Sequence, residues 1–531
     1  MKKQIAMIQA RTEWYDSVNE ENRFINLNLA FLRIATICDQ LEIDYEIIDY
    51  NNEGCEISKE KLLYDLNMIP DLVIVSLDLM GIESAYNITK IIKDNYVTNI
   101  MWTSLGIGFL IPFVTLFKEI VLENYLIDYV LYGSENCLTQ FFNEYFNSNE
   151  IKAPGIGYKL NNKKVFNDLD KEGKYNFIPE NYEAVDMEKY IWRYGKDILS
   201  PRYIRKQRII PISTGIGCIY SCTYCINSNK EWKKLFKLKP KEMLVRQLDY
   251  LIDKYNPDVI WFQDDNFFID KERAIEALKL INKKNILWSG QGRANYFHDE
   301  YITEDFFREY IAPNCIWFGV GFETFSDSLR KKLNKHVSVE QLERAAYLCD
   351  RYNVPFNPAF IFGLVEQSVD ELKNDLISIL KFHKKYPKTT FSFQLWRPYP
   401  GTLEYEKFVQ MCGEINFPKK LEEWIDYKYF DDNSYNLPHL SKEFQKLIPI
   451  SKKIFMIYVQ YNNFGVFKID RLLYPIIIYL FKKDKIVYFI TTYFYTHIIF
   501  RVFTDKNFRK FIFIKLYKKL KKLKSILPLN L

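Results

Sequence analysis

The sequence shows little that reads as an amino-terminal secretion signal, and none is expected. Met1-Lys2-Lys3 runs straight into the strand-like Gln4 to Ile8, with no apolar core and small-residue cleavage site. It also lacks a disulfide framework. Nine cysteines in 531 residues is an odd number, and six of them stand singly, so a reducing cytoplasm is expected. A strong charge of one sign is missing too: the net charge is +6, which calls for no nucleic-acid partner at the level of the whole chain. Low-complexity tracts and internal repeats are absent. Histidine is scarce: His298, His336, His383, His439 and His497 are dispersed, and each reads as a surface or core residue and not as a ligand. What remains is a chain with 48% hydrophobic residues, enough for several buried cores.

Four stretches follow one another. Residues 1–148 alternate apolar runs (Gln4 to Gln9, Tyr45 to Asp49, Asp71 to Ser76, Asn99 to Ser104, Tyr129 to Tyr132) with helical patterns. Such alternation predicts a parallel sheet covered on both faces, with ligands beyond the carboxyl ends of its strands. Residues 149–205 read as a connector carrying a small hairpin about Asn161-Asn162. Residues 206–405 alternate again through six strand–helix units, predicting a partial (β/α)6 barrel whose site lies at the carboxyl ends of the strands. Residues 406–531 are helical in pattern, aromatic and basic. The fold class expected is α/β.

The chemistry concentrates in Gly217-Cys218-Ile219-Tyr220-Ser221-Cys222-Thr223-Tyr224-Cys225, just after the first strand of the second alternating region. Thiolates are the usual ligands of iron–sulfur clusters. Three ligands spaced CxxxCxxC leave one iron of a four-iron cluster open to a small chelating molecule. Structural zinc takes four ligands, yet no histidine lies near this loop and the next cysteine is Cys315.

With Tyr224 before the third cysteine, the loop resembles the signature of the radical S-adenosylmethionine (SAM) superfamily. The resemblance implies a 4Fe-4S cluster on Cys218, Cys222 and Cys225, chelated by SAM, whose reductive cleavage yields a 5′-deoxyadenosyl radical. It extends over about 206–405. Gly319-Val320-Gly321-Phe322-Glu323 resembles the fourth-strand motif, implying a contact of Glu323 with the SAM ribose. Ile361-Phe362-Gly363-Leu364 resembles the fifth-strand segment, implying that the Gly363 backbone lies near the adenine. Pro398 to Thr402 is a further match, and by composition a turn. Asp264 and Asp265 either face the cofactor or cap the next helix. Arg293 either meets a carboxylate of SAM or substrate or makes a structural ion pair.

A five-stranded α/β domain ahead of such a barrel resembles the cobalamin-binding subgroup. Gly106, after the fourth strand, and Gly133, before the last helix, stand where this resemblance implies backbone approach to the corrin. The chain departs from the subgroup's Gly-Gly-His and Gly-Glu-Gly-Glu patterns at Ser104 to Gly108 and Gly133 to Asn136, and it lacks DxHxxG. The implied reaction is methylation of an unactivated carbon by way of methylcobalamin. Alternatives are a cobalamin-independent radical SAM enzyme (rearrangement, cyclisation or methylthiolation) with a vestigial first domain, and an iron–sulfur sensor without turnover.

At the carboxyl end, Ile486 to Phe500 is a charge-free run of fifteen residues, short of the roughly 20 that span a bilayer. Residues 501–524 then interleave ten Lys or Arg with aromatic and aliphatic residues against Asp505 alone. Such a helix either packs on its own barrel or lies in an anionic membrane surface, which would make the protein peripheral at the inner face of the membrane. The partners expected are a small-molecule, lipid or peptide substrate and a reductant such as flavodoxin or ferredoxin.

Overall fold

A computed structural model of the chain describes residues 3–11, 27–51, 57–106, 112–148, 150–170, 177–194, 206–229, 233, 236–415, 417–425 and 437–455. The first sheet contains β1 (Gln4–Gln9), β2 (Asp44–Asp49), β3 (Leu72–Ser76), β4 (Asn99–Thr103) and β5 (Tyr129–Leu131). These five are parallel, in the order β2-β1-β3-β4-β5. The sequence Leu72-Val73-Ile74-Val75-Ser76 is buried throughout, as a central parallel strand covered on both faces requires. Helix Leu29–Gln40 starts sharply because the Asn28 side chain accepts from the amides of Ala30 and Phe31.

The hairpin expected in the connector forms as β6 (Ile156–Leu160) and β7 (Lys163–Phe166), but it pairs antiparallel onto β5 and completes a seven-stranded sheet. The division drawn at 148 therefore cuts through one sheet. Gly157 lets the hairpin lie flat: a Cβ there would meet Val130 and Phe166 at 2.7 Å.

The second sheet contains β8 (Trp192–Tyr194), β9 (Lys206–Ile212), β12 (Val259–Phe262), β13 (Leu287–Arg293), β14 (Cys315–Glu323), β15 (Phe356–Phe362) and β16 (Ser392–Leu395). Strands β9 and β12 to β16 are parallel and successive, and β8 adds antiparallel at the β9 edge. A separate two-stranded ribbon, β10 (Gly215–Ile216) with β11 (Lys237–Leu238), rises from the end of β9. The helices between strands are firmly capped. Ser368 and Glu371 form a reciprocal box at Val369–Lys385, and Lys241–Tyr255 stops at Asn256 in the left-handed conformation, φ 43°. One large core joins sheet and helices, while Ile209, Val259, Trp261 and Ile316 form a small separate cluster.

The boundary drawn at 405/406 does not separate distinct bodies either. Helix Leu403–Cys412 straddles it, and Leu421 and Trp424 beyond it are buried in the core of the first domain. Trp424 meets the rings of Phe117 at 4.5 Å, Phe113 at 5.1 Å and Phe417 at 5.6 Å. The basic carboxyl segment, 456–531, lies outside the described residues. Among those described, no helix is long and apolar enough to cross a membrane.

Candidate active site

The cysteine loop leaves the ribbon β10–β11 at Gly217, whose φ of 74° is one that side chains rarely adopt. Cys222 is buried, and Cys218 and Cys225 are partly exposed. Burial pushes the Cys225 thiol up to about 12 and raises that of Cys218 as well. Four hydrogen bonds help to hold the loop. The Thr223 amide donates to the Leu333 carbonyl at 3.0 Å. The Thr223 hydroxyl donates to Glu404 Oε2 at 2.9 Å, while the Glu404 amide donates back to the Thr223 carbonyl at 3.0 Å. Asn334 Nδ2 donates to the Ser221 carbonyl at 3.0 Å.

Arg293, at the end of β13, lies beside the cysteine loop. Its Nη1 lies 3.3 Å from Cys222 Sγ, its Nε donates to Asn295 Oδ1 at 2.9 Å, and its Nη2 donates to the Lys335 carbonyl. The guanidinium stacks on the Tyr220 ring at 3.7 Å. It serves the cysteine loop, and no carboxylate pairs with it among the described residues.

Glu323 closes β14, where the register to β15 shifts, and it carries a φ of 76°. A non-glycine residue in that region is strained and persists only when its surroundings hold it. The holding group is a buried triad. Glu323 Oε1 accepts from Lys335 Nζ at 2.7 Å and from the Tyr224 hydroxyl at 2.7 Å, and Lys335 reaches Tyr224 at 3.0 Å. Burial and the Glu323 carboxylate push the Tyr224 hydroxyl well above its ordinary range, so it stays a donor. Gly321 makes room: a Cβ there would meet Glu323 Oε1 at 2.6 Å and Lys335 Nζ at 2.8 Å.

Gly363 ends β15 with φ 75°. Its amide donates to Gln367 Oε1 at 2.8 Å and its carbonyl pairs with His439 Nε2 at 2.8 Å. Gln367 Nε2 donates in turn to Asp375, which also accepts from the Thr324 hydroxyl and the Phe325 amide. The ends of β14 and β15 thus share one buried carboxyl, which burial pushes up to about 7.

Asp264 caps no helix; Asp270 does that for Lys271–Lys283. Asp264 instead accepts from the Thr214 amide and hydroxyl, pinning the end of β12 to the turn before β10, and burial pushes it up to about 6. Asp265 accepts from Asn227 Nδ2 at 2.9 Å, two residues past Cys225. Thr402 caps helix Leu403–Cys412, which explains the end of the Pro398 to Thr402 segment.

At the carboxyl edge of the first sheet, Asn28 Nδ2 donates to Gln9 Oε1 at 2.6 Å and to the Leu105 carbonyl at 3.3 Å, and the Ser76 hydroxyl donates to the same carbonyl at 2.7 Å. Gly106, φ 77°, runs beside Asn28, whose side chain would collide with a Cβ there. Gly133 packs inward, where a Cβ would meet the Gly155 backbone at 3.1 Å and Leu169 at 3.3 Å. Gly106 is thus required by neighbouring protein, and Gly133 is tightly packed by it. Residues 107–111 of this edge lie outside the described residues. A groove of about 450 Å3 lined by Asp71, Lys93 and Tyr145 among others opens at the amino ends of β3 and β4, away from this edge.

The donor set does not suit a single ion. Among the described residues no three His, Cys, Asp or Glu side chains gather as ligands of one metal. Three thiols on one loop are the donor chemistry that an iron–sulfur cluster takes. Lys335, Glu404 and Gln367 carry no motif; only their contacts reveal them.

Residues 212–376 match the Radical SAM superfamily, so the chain carries a radical SAM domain. An uncharacterised methyltransferase of Pyrococcus horikoshii is 26% identical over 377 residues, 69% of this chain and 75% of that protein. The bacteriochlorophyllide d C-8(2)-methyltransferase of Chlorobaculum tepidum is 24% identical over 261 residues, 47% of this chain and 53% of that protein. Among solved structures, the radical SAM methyltransferase TsrM of Kitasatospora setae, with cobalamin and a 4Fe-4S cluster bound, superposes with a TM-score of 0.58 at 15% identity, covering 79% of this chain and 80% of that one. The likeness shows a shared α/β fold with a curled parallel half-barrel sheet.

Proposed function

We propose that this chain, which carries a radical SAM domain, is a cobalamin-dependent enzyme that methylates an unactivated carbon. The observation that carries the reading is the pairing of two sites on one chain. Three thiols ride a loop at the carboxyl end of β9, and a parallel sheet ordered β2-β1-β3-β4-β5 presents its own strand ends at the β1/β3 switch. The methyltransferase names of two relatives and the cobalamin bound in TsrM support it.

Cys218, Cys222 and Cys225 are the residues that would hold the cluster. When bound, the 4Fe-4S cluster with SAM supplies a 5′-deoxyadenosyl radical, and methylcobalamin supplies the methyl group. Burial raises the Cys225 thiol to about 12 in the free chain, and binding iron would displace that proton. Arg293 places its guanidinium 3.3 Å from Cys222 Sγ and so positions that ligand. Glu323, at its strained strand end, would turn a carboxylate oxygen to the SAM ribose while Tyr224 and Lys335 hold the other side of the group. The Gly363 backbone, fixed by Gln367 and His439, would border the adenine.

On the first sheet, Gln9, Asn28, Ser76 and the backbone about Gly106 would border the corrin, with Gly133 shaping the last loop. The side chains of Gln9, Asn28 and Ser76 are uncharged, and the first 297 residues contain no histidine.

The substrate is a small molecule, lipid or peptide, and the electron comes from a flavodoxin- or ferredoxin-like reductant. The basic aromatic stretch 486–524 would contact an anionic membrane surface; deletion from Phe503 onward should then release the protein from anionic liposomes, and unchanged partitioning removes that contact.

The deciding experiment is anaerobic reconstitution with iron and sulfide, then hydroxocobalamin, then desalting. Near-stoichiometric cobalt alongside cluster absorbance is the expected result. A cluster without cobalt overturns the corrin reading and favours cobalamin-independent radical chemistry.

A further inference from the structure

Between the two sheets lies a buried cluster of charge that the proposed chemistry leaves unused. Glu180, in the segment between β7 and β8, has a fully buried side chain. Its carboxylate accepts from Arg33 Nη1 at 3.0 Å, Lys239 Nζ at 2.8 Å and Gln247 Nε2 at 2.8 Å. Arg33 Nε donates onward to Glu135 Oε1 at 2.6 Å. Arg33, Glu135, Glu180 and Lys239 are each exposed by 6% or less. The Phe177 ring faces the Lys239 ammonium at 4.9 Å.

These groups come from both cofactor-bearing regions of the molecule. Arg33 lies on the helix that follows β1, and Glu135 stands two residues past Gly133 at the end of β5. Lys239 directly follows β11, one side of the ribbon that supports the cysteine loop, and its amide donates to the Thr214 carbonyl at 2.9 Å. From the other side of that ribbon, β10, the chain passes through Gly217 into Cys218. One carboxylate therefore grips, through one cation on each side, a strand-end loop of the first sheet and the stem of the cysteine loop.

Burying such charges is costly, and well-packed apolar side chains hold surfaces together at least as well. What the ionic contact adds is register, because a carboxylate accepts three directed donors only in one relative placement. We infer that the Glu180 network is an alignment pin that fixes the ligand-binding edge of the first domain relative to the cysteine loop. Arg33, Glu180 and Lys239 are its positioning residues. The benefit rests on the corrin reading above, since a methyl group and a substrate radical must meet within contact distance.

The test uses the full-length reconstituted protein with a nitroxide amino acid at exposed Thr139, on the helix following Glu135. The reduced cluster speeds relaxation of the nitroxide steeply with proximity, read by microwave power saturation. Glu180→Gln removes the charge at constant shape. It is expected to change the relaxation by at least about twofold, which under a sixth-power distance dependence is a change of roughly an eighth in the cluster–nitroxide separation, with Glu180→Asp nearer the parent. A lowered Tm with unchanged relaxation means that the network merely stabilises, and overturns the inference. If Glu180→Gln takes up no iron, Lys239→Gln probes the same contact from the barrel side, and unchanged relaxation there overturns it equally. Cobalt is measured on the same samples. Its absence from the parent counts against the corrin reading, whereas unchanged relaxation counts against the pin.

Discussion

Replacing Lys335 with Met tests the Glu323 triad. The ammonium and the carboxylate are 2.7 Å apart, with side chains only 5% and 6% exposed. At that distance and an effective dielectric of about 20 the direct attraction is about 6 kcal/mol. Desolvation of both groups cancels much of this in the intact pair, but Lys335→Met would leave Glu323 buried with the Tyr224 hydroxyl as its remaining side-chain partner. Removing one member of such a pair costs about 3–5 kcal/mol. Glu323 also holds a left-handed backbone, a strain of about 1–3 kcal/mol, some of which relaxes when the side chain is freed. The expected loss is therefore near the lower end, about 3 kcal/mol. Urea unfolding followed by near-ultraviolet circular dichroism, which reads the aromatic barrel core, measures it. The double variant Glu323→Gln/Lys335→Met should be more stable than Lys335→Met alone, because no buried charge is left unpaired. A single-variant loss under about 1 kcal/mol, or a double variant no better than the single, would refute the reasoning.

Replacing Cys218, Cys222 and Cys225 with Ala should abolish both bound iron and 5′-deoxyadenosine formation; retained deoxyadenosine in that variant would sink the cluster assignment. Burial raises the Asp375 carboxyl to about 7 in the folded chain, so the folded state holds this proton more tightly than the unfolded one. The stability it contributes is full below pH ~4 and fades as the pH rises through about 7, by a few kcal/mol at most. Asp375→Asn should flatten the fall in unfolding midpoint between acid and mildly alkaline buffer, and a variant with the parent's slope contradicts the shift. Trp424→Ala should cost about 3–5 kcal/mol and fall on the first domain, whose core the indole fills. Hydrogen exchange that loosens helix Lys118–Glu123 with the barrel unaffected is the expected signature, and loosening confined to the barrel would contradict it.

Much of this molecule is local in origin and could be read from the chain. Strand periodicity located β1 to β5 within a residue or two at most ends, and the barrel strands nearly as well, because burial on both faces demands continuous apolar runs. Three barrel strands, β9, β13 and β14, run longer than the apolar runs Ile209 to Ser213, Ile286 to Ser289 and Cys315 to Val320 predict. Polar Gln291 and Arg293 hide the end of β13, and the shift before Glu323 hides that of β14. The spacing of Cys218, Cys222 and Cys225 is also local, since one loop must present all three thiols. Reading the family from that spacing agrees with the domain matched over 212–376.

Only tertiary structure decided what those residues touch. Thr223 meets Glu404 across 181 positions, and Arg33 meets Glu180 across 147. Neither pair has a periodic or motif signal, because a hydrogen bond between distant segments constrains two residue types and nothing between them. The same holds for the hairpin that proved to be the edge of the first sheet, for Trp424 in the first domain's core, and for Gly106 and Gly133. Their missing side chains answer to Asn28 and Gly155, neighbours that no reading along the chain places beside them. The sequence by itself determined the elements and the cysteine chemistry, through short-range periodicity and spacing. The partners that hold the site in shape were decided by close packing, which is settled only once the whole chain has folded.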